Sequence, residues 1–250
     1  MTGIPLCQSF FACYAAGVPT SATGNSRVSR AVDQLREAIF KGEFTPGSPL
    51  REQSLGRELG VSQATIREAL QRLEHAGLVT RKPNVGTTVT RLSPKDVRER
   101  VALRGLLEGV AAQEAAPKMG AAEFAELERR LRVMWKAVQA DRYYEAAQAD
   151  LDFHHYVWQC SGNDTLCRML ELVTVPLFAF ISILRSTGLQ RLTTVVESHE
   201  PLVAALKSGQ PALIRAAFEQ GATNSYRAFL DDGEERVVAE AFGFLSSTRT

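Results

Sequence analysis

The clearest periodic pattern in the sequence lies at residues 50–77, where apolar positions recur at helical spacing in two short blocks. The first block contains Leu55 and Leu59, four residues apart. The second contains four apolar residues at i, i+3, i+4 and i+7, the spacing of one buried helix face. These residues are Ile66, Ala69, Leu70 and Leu73. The pattern predicts two amphipathic helices in close succession.

The segment between the two blocks has the composition of a tight turn. Gly60 can adopt the left-handed conformation that ends a helix, and Ser62 can cap the next helix by accepting a hydrogen bond from a free backbone N–H. Two helices joined in this way form a helix-turn-helix, which often binds DNA. A plain two-helix hairpin has the same pattern, so the motif alone leaves both interpretations open.

The face of the second helix opposite its apolar stripe is polar. Gln63 and Arg67 lie one helical turn apart on that face. Arg can form paired hydrogen bonds with guanine and Gln with adenine, and such residues belong near the start of a recognition helix. We therefore predict that Gln63 and Arg67 contact bases.

A hairpin pattern follows directly after the second helix. Residues 78–82 and 87–90 are rich in β-branched residues and flank a turn cluster at residues 83–86. This arrangement predicts a two-stranded wing. The wing is basic, so we expect three side chains in and before it to contact DNA phosphates. They are Arg72, Arg81 and Lys82.

Residues 46–89 together resemble the GntR family of bacterial winged-helix transcription regulators. The resemblance implies that the helix opening at residues 51–53 braces the recognition helix and contributes Gln53 as a DNA contact. The family commonly has Arg or Thr where this sequence has Gln63 and Ala64, so we expect a different operator. The complete set of expected DNA-binding residues is Gln53, Ser62, Gln63, Ala64, Thr65, Arg67, Arg72, Arg81, Lys82 and Gly86.

Charge is unevenly distributed, although the 250-residue chain carries a net charge of only +1. Residues 26–92 hold 11 Lys/Arg and 7 Asp/Glu, whereas residues 93–250 hold 18 and 21. The basic part is the predicted DNA-binding part, as phosphate binding requires. Because the excess is small, affinity should depend on paired half-sites bound by a homodimer.

Cysteine usage and hydropathy bear on location. The four cysteines form no CxxC pair, which indicates a reducing cytoplasm rather than a disulfide framework. No uninterrupted run of about 18 apolar residues occurs, so we expect no membrane span. Residues 1–25 carry no charge, which makes them a poor secretory signal, and we interpret them as a loose tail.

Residues 93–250 show helical patterns and no convincing strand. Ser93 is a helix cap and Pro94 occupies a favoured first position. Helices are expected at residues 94–116, 121–140, 141–160, 164–171, 175–185, 189–207, 211–231 and 234–245. The expected buried stripe of the first is Val97, Val101, Leu103, Leu107 and Val110. Pro176 fits the first turn of its helix.

The predicted fold class is therefore mainly α. A winged helix-turn-helix with a small β-wing occupies residues 26–92, and an antiparallel all-α bundle of six to seven helices occupies residues 93–250. This bundle resembles the FCD-type ligand-sensing domain of the FadR branch of the GntR family. The resemblance rests on residues 104–108, 150–163 and 197–199, and it implies effector binding and dimerisation.

Three residues in the bundle have metal-binding chemistry. Asp150 and His154 lie one turn apart, so a carboxylate oxygen and an imidazole nitrogen can share one ion, and His199 could complete three ligands. The resemblance implies a divalent metal such as Zn or Ni at the base of the effector cavity. It also implies a further histidine at the position where this sequence has Gly221.

Two alternatives to this site remain open. Asp152 and His155, at i and i+3, could form the pair instead. The residues could also be a buried hydrogen-bonded network that holds no metal.

Arg104 is the main candidate for effector binding. A guanidinium can bind a carboxylate through two parallel hydrogen bonds, and the resemblance implies that this Arg faces the effector. The alternative is a simple intrahelical pair with Glu108. We expect Arg104, Glu108 and Asn224 to form a site for a small organic acid.

These patterns predict a cytoplasmic, homodimeric, ligand-responsive transcription repressor that binds a palindromic operator in double-stranded DNA and is not an enzyme. One alternative is a regulator whose helical domain only dimerises and binds no metal. Another is a metal hydrolase that uses Asp150, His154 and His199 with Glu108 as its base. No nucleophile or oxyanion motif accompanies these residues, which disfavours the hydrolase.

Overall fold

The computed structural model describes residues 22–82, 86–186 and 196–226 of the chain. The elements in chain order are α1 (Ala22–Phe40), α2 (Glu52–Glu58), α3 (Gln63–His75), β1 (Val79–Lys82), β2 (Gly86–Val89), α4 (Pro94–Ala115), α5 (Ala121–Gln139), α6 (Tyr143–Ser161), α7 (Asp164–Ser186), α8 (Glu200–Ser208) and α9 (Pro211–Ser225). A 3₁₀ turn, Ala116–Lys118, links α4 to α5. The predicted mainly α fold is confirmed.

The first five elements form the predicted winged helix. Helices α1 and α2 both pack against α3. Strands β1 and β2 pair antiparallel, with Val79 opposite Val89 and Lys82 opposite Gly86. Helix α1 begins at Ala22, so that residues 22–25 are helical rather than part of the predicted loose tail. Residues 1–21 and the wing turn at residues 83–85 lie outside the described residues.

Helix α4 opens with a capping box that fixes the start of the bundle. The Asp96 backbone N–H donates to Ser93 Oγ at 3.2 Å, and the Ser93 backbone N–H donates to Asp96 Oδ2 at 2.8 Å. Pro94 follows at the first helical position, as predicted. These contacts satisfy backbone donors that an uncapped helix leaves free.

Helix α9 runs antiparallel to α4 at close range. Gly105 of α4 faces the backbone of Glu219, and Gly109 faces that of Arg215, one turn earlier in α9. A Cβ at position 105 would lie 3.2 Å from the Glu219 Cα. Glycine at these two positions therefore allows the two helices to pack closely.

Helix α7 differs from the sequence-based prediction of two helices at residues 164–171 and 175–185. The structure has one continuous helix from Asp164 to Ser186, and Pro176 lies inside it. Proline normally interrupts a helix because it lacks an N–H to donate to the carbonyl four residues earlier. Here Arg100 Nη1 donates to that carbonyl, on Leu172, at 2.9 Å and to the Val173 carbonyl at 3.2 Å. A side chain from α4 thus replaces the missing donor.

Residues 164–184 are long and apolar enough to cross a membrane by length and composition. In the most apolar window, however, 67% of the residues are buried inside the protein. Helices α1, α4 and α6 pack against α7. The apolar character of α7 is accounted for by its central position in the fold.

The predicted buried stripe of α4 is partly wrong. Val97 and Val101 are buried, but Leu103 is 44% exposed and Val110 is 37% exposed. The spacing of hydrophobic residues cannot distinguish a helix face that is buried inside the chain from an apolar face that is exposed on its surface.

The later helices are described only in part. Helix α8 begins at Glu200 and α9 ends at Ser225. The remainder of the predicted helices at residues 189–207 and 211–231, except for residues 196–199 and Tyr226, lies outside the described residues. So does the predicted helix at residues 234–245.

The winged helix and the bundle share one apolar core cluster. It contains Ile39 and Leu78 from the winged helix and Trp158 and Phe178 from the bundle. Ser182 Oγ in α7 also donates to the Phe40 carbonyl at 2.9 Å. The described structure therefore fixes the winged helix directly against α7.

Candidate functional site

The recognition helix α3 presents the predicted polar face outward. Its four apolar stripe residues are at most 1% exposed, which fixes the rotation of the helix about its axis. The Thr65 backbone N–H donates to Ser62 Oγ at 3.1 Å, so Ser62 is the N-cap. Gln63, Ala64 and Arg67 are exposed. These positions make the first turns of α3 accessible to a DNA groove.

A carboxylate from α2 holds the two predicted base-contacting side chains. Arg67 donates to Glu52 through Nη2 at 2.9 Å and through Nε at 3.3 Å. Gln63 Nε2 donates to Glu52 Oε2 at 3.1 Å. The Arg67 hydrogen bond is the main cause that lowers the pKa of the Glu52 carboxyl. Sequence reasoning missed Glu52, because helical periodicity relates residues within one helix and not across two.

The other predicted DNA contacts lie around this face. Gln53 is exposed at the start of α2. Arg72 pairs with Glu68 at 2.8 Å along α3, and Arg81 of β1 lies 3.9 Å from Glu74. The wing positions Lys82 and Gly86 are exposed and lie opposite one another in the sheet.

The predicted metal ligands come together inside the bundle. Asp150 and His154 lie on α6, and His199 immediately precedes α8; all three are buried. Asp150 Oδ1 is 3.1 Å from His199 Nε2 and 3.5 Å from His154 Nε2. Two ligands bound tetrahedrally at 2.0–2.1 Å lie about 3.4 Å apart. The spacing and the donor chemistry of the three residues therefore fit one divalent ion of the zinc type.

Two charged residues of α4 join this cluster. Arg104 Nε lies 3.1 Å from Glu108 Oε2, and Arg104 Nη2 lies 3.0 Å from His154 Nε2. Glu108 Oε1 is 3.0 Å from the other ring nitrogen, His154 Nδ1. Because a guanidinium can only donate, His154 Nε2 must accept, and the ring proton therefore sits on Nδ1, on the side of Glu108. His154 Nε2 thus carries the lone pair that a metal would need.

Burial and the charges inside the cluster together determine the protonation states of His154 and Glu108. Burial lowers the pKa of His154, and Arg104 lowers it further against the opposing effect of Glu108, so the ring is neutral at pH 7. Burial alone would raise the pKa of Glu108, but Arg104 and His154 lower it by more. The cluster therefore combines a neutral imidazole with an ionised Arg104–Glu108 pair.

Asn224 is not brought together with Arg104 and Glu108. Its side chain is exposed on α9, and its Oδ1 accepts a hydrogen bond from Gln220 Nε2 at 2.8 Å.

At Gly221, one turn before Ser225, an added Cβ would lie 3.2 Å from Leu202 Cδ2. The side chain of Leu202 therefore occupies the space beside the position where the resemblance implied a histidine.

His155, which could pair with Asp152 in the alternative metal site, lies next to a carboxylate of α7. His155 Nε2 lies 3.1 Å from Glu171 Oε1 on α7, and its ring packs edge-on against Trp158. Within the described residues, Asp150, His154 and His199 form a group whose ligand atoms lie within 4.8 Å of one another. The geometry favours this group over the one with Asp152 and His155.

Comparisons with known proteins agree with both halves of this arrangement. Residues 27–89 match the family described as "Bacterial regulatory proteins, gntR family", and residues 99–221 match the FCD domain. The chain is 30% identical over 195 residues to the "Probable D-xylose utilization operon transcriptional repressor" of Paenarthrobacter nicotinovorans, covering 78% of this chain and 85% of that protein. The chain belongs to the GntR family.

Further relatives of this GntR-family regulator support the same conclusion. An uncharacterized HTH-type transcriptional regulator of Bacillus subtilis, YdhC, is 32% identical over 176 residues, which covers 70% of this chain and 78% of that protein. The solved structure of Escherichia coli McbR/YncC superposes with a TM-score of 0.70 at 21% identity, over 81% of this chain and 96% of that chain. At that identity the superposition shows the fold alone.

Family membership decides between the functional classes. A GntR-family regulator with an FCD domain binds DNA and regulates transcription, and it is not an enzyme. The alternative of a metal hydrolase is thereby excluded. The buried cluster of Arg104, Glu108, Asp150, His154 and His199 lies within the residues that match the FCD domain.

Proposed function

We propose that this regulator is a cytoplasmic homodimeric repressor whose bundle binds a small organic acid beside a divalent metal. The observation that carries this proposal is the buried cluster in which Arg104 and Glu108 of α4 meet Asp150, His154 and His199. Buried ionisable groups are costly to maintain, and such clusters occur preferentially at functional sites.

The DNA-binding half would comprise residues 26–92 and the effector half residues 93–250. Gln63 and Arg67 would contact bases in the major groove, with the remaining predicted residues of α2, α3 and the wing on the DNA backbone. A winged helix on each subunit suits a short palindrome. The relative from Paenarthrobacter is named as a repressor, and we extend repression to this chain.

In the metal site, Asp150 Oδ1, His154 Nε2 and His199 Nε2 would hold the ion, which would be Zn or Ni. When bound, it would supply a positive charge that attracts an anionic effector. Glu108, whose Oε1 lies 3.0 Å from His154 Nδ1, would orient the imidazole and so keep Nε2 directed at the ion. Arg104 would have to leave His154 Nε2, and its freed donors would then be available to a ligand.

The charges of the cluster indicate the class of ligand. Among the described residues of the cluster, Arg104 carries one positive charge, and the carboxylates Glu108 and Asp150 carry two negative charges. A divalent ion would change the sum from one negative to one positive charge. An unbalanced buried charge is unfavourable, and a single carboxylate group would neutralise it. This balance supports a small organic acid over a neutral or cationic effector.

Helix α7 would transmit binding to the DNA-binding half. The Arg104 guanidinium lies 4.8 Å from the centre of the Phe178 ring, and the His154 ring contacts the same side chain edge-on. Two residues earlier, Pro176 lies against Gly77 at the end of α3. A ligand that moves Arg104 would therefore disturb packing next to the winged helix.

An exposed apolar stripe supports dimerisation through α4. Leu103, Leu106 and Val110 are 44%, 47% and 37% exposed, and they lie on one face of the helix. Leu213 of the adjacent α9 is 50% exposed. A stripe of this kind suits a two-fold interface, in which the same face of both subunits is covered.

Two observations favour the second candidate, a regulator whose bundle only dimerises. Arg104 already satisfies His154 Nε2, and Leu202 fills the space beside Gly221. The cluster could therefore be a purely structural ionic network.

Thermal unfolding of the metal-free protein separates the two candidates. We expect Zn or Ni to raise the melting temperature, and a carboxylic acid from a panel to raise it further only when the metal is present. Asp150→Asn should abolish both shifts, whereas the matched variant Asp152→Asn should retain them. Unshifted melting of the wild-type protein with every metal and acid would reject the sensor.

Selection of binding sites from random duplex DNA tests the DNA contacts. Arg67→Ala should lose preference at one base pair of each half-site, because a bidentate contact supplies about 1–3 kcal/mol of discrimination. An unchanged selected sequence would reject the base-contacting role of Arg67.

A further inference from the structure

Glu52 holds the Arg67 guanidinium by one particular edge. Arg67 donates through Nε at 3.3 Å and Nη2 at 2.9 Å, the two nitrogens on the side edge of the group. The end edge, formed by Nη1 and the second hydrogen of Nη2, is left for another partner. Arg67 is 58% exposed, while Glu52 is only 21% exposed. The anchor is thus sheltered and the free edge is accessible.

The free edge is the one that would contact a base. Two parallel N–H donors match the O6 and N7 acceptors of guanine. A long, flexible Arg loses side-chain entropy when it is ordered on DNA, and an anchor that orders it beforehand reduces that loss. The Glu52 carboxylate repels DNA phosphates and therefore lowers affinity for every DNA sequence. Its contribution at this surface must therefore be something other than general affinity.

Glu52 contacts a second predicted base-contacting residue. Gln63 Nε2 donates to the same Oε2 that accepts from Arg67 Nη2. One carboxylate on α2 therefore fixes two side chains on α3. The hydrogen bond from Arg67 also lowers the pKa of Glu52, which keeps the carboxyl ionised at neutral pH.

We propose that Glu52 is a positioning residue for sequence recognition: it fixes Arg67, and with it Gln63, so that the free edge of the guanidinium meets a guanine in the operator. The role acts through Arg67 and not through a direct contact of Glu52 with DNA. It lowers affinity for DNA in general and raises discrimination between sequences. This inference rests on the proposed contact of Arg67 with a base.

The test compares Glu52→Ala and Glu52→Gln with Glu58→Gln in the full-length chain. Glu58 is exposed on the same helix, so its variant removes the same charge but leaves the contact between Glu52 and Arg67 in place. Affinities are measured at one salt concentration for the selected operator and for every single-base variant of it. Thermal unfolding verifies that each variant is folded.

We expect Glu52→Ala to reduce discrimination roughly tenfold at the base pair contacted by Arg67, within the range of one bidentate contact. Glu52→Gln should lose less, because its amide oxygen still accepts one hydrogen bond. Glu58→Gln should leave the base preferences at their wild-type values. The double variant Glu52→Ala/Arg67→Ala should discriminate at that base pair no worse than Arg67→Ala, since the effect passes through Arg67.

One result would overturn the inference: wild-type discrimination in Glu52→Ala, whether its affinity is unchanged or changes equally for every sequence. The proposed function fails in a different way: if Arg67→Ala keeps the wild-type preference, then Arg67 itself does not contact a base. Loss of preference in Arg67→Ala combined with wild-type preference in Glu52→Ala rejects the role of Glu52 alone.

Discussion

Arg100 donates a hydrogen bond at 2.9 Å to the carbonyl of Leu172, the acceptor that Pro176 leaves without a helical donor. The two residues are 72 positions apart, on α4 and α7. This contact explains how α7 continues through a proline. It also joins the first helix of the bundle to the helix on which the winged helix packs.

Replacement of Arg100 by Ala should lower the free energy of unfolding by about 1–2 kcal/mol, the usual contribution of a hydrogen bond from a charged donor. In a Pro176→Ala background, position 176 regains its N–H, and the loss should fall to less than half. Denaturant unfolding of the four proteins of this cycle measures the coupling. Equal losses in both backgrounds would show that Arg100 does not compensate for the proline.

Gly77 and Gly60 form a matched pair that tests the close approach of Gly77 to α7. Both have positive φ, +72° and +64°, but only at Gly77 would an added Cβ meet another helix, 3.0 Å from Pro176 Cγ. Gly60→Ala should cost about 1 kcal/mol, from the left-handed backbone alone. Gly77→Ala should cost about 1–3 kcal/mol more, because overpacking adds to that strain. Equal losses in unfolding free energy would contradict the close contact with α7.

Sequence patterns correctly predicted those elements that are determined by residues close together in the chain. The apolar spacing from Ile66 to Leu73 placed α3 correctly, because that face is buried within the same winged helix. Ser93 and Pro94 placed the start of α4, because a cap depends only on neighbouring residues. Asp150 and His154 could be paired for the same reason, since i and i+4 share a helix face.

The predictions that were wrong or missing depend on contacts between residues that lie far apart in the sequence. The interruption predicted near Pro176 does not occur, because the compensating donor comes from Arg100 on another helix. Glu52 was missed because its partner Arg67 lies 15 residues away on another helix. Leu103 has the same hydrophobicity as a core leucine, and only the tertiary structure shows that it is exposed.

The capping box at α4 should make stability depend on pH in the acidic range. Hydrogen bonds from Ser93 lower the pKa of the Asp96 carboxyl below its ordinary value of 3.8. The unfolded state therefore binds this proton first as pH falls, so the contribution of Asp96 is fully present well above pH 3.8 and decreases below it. Ser93→Ala should cost about 1 kcal/mol at neutral pH and clearly less near pH 3. Equal costs at both pH values would contradict the contribution of the carboxylate.

The apolar stripe on α4 leads to a prediction about assembly, for which α5 supplies the control. Leu106 is 47% exposed on the proposed interface, and Val133 is 46% exposed on α5. Leu106→Lys should raise the dissociation constant of the dimer by roughly 10–100-fold, because the interface would have to bury an unpaired ammonium group. Val133→Lys introduces the same charge at the same exposure and should leave the dimer intact. Sedimentation over a range of protein concentrations measures both.

The same two variants should also differ in their affinity for the operator, because a palindrome is bound tightly only when the two winged helices are linked in a dimer. Leu106→Lys should weaken binding to the full operator while leaving binding to an isolated half-site unchanged, since its own recognition helix is intact. Val133→Lys should match the wild-type protein on both. If Leu106→Lys remains dimeric and retains full operator affinity, the interface lies on another face of the bundle, and the exposed leucines of α4 require a different partner.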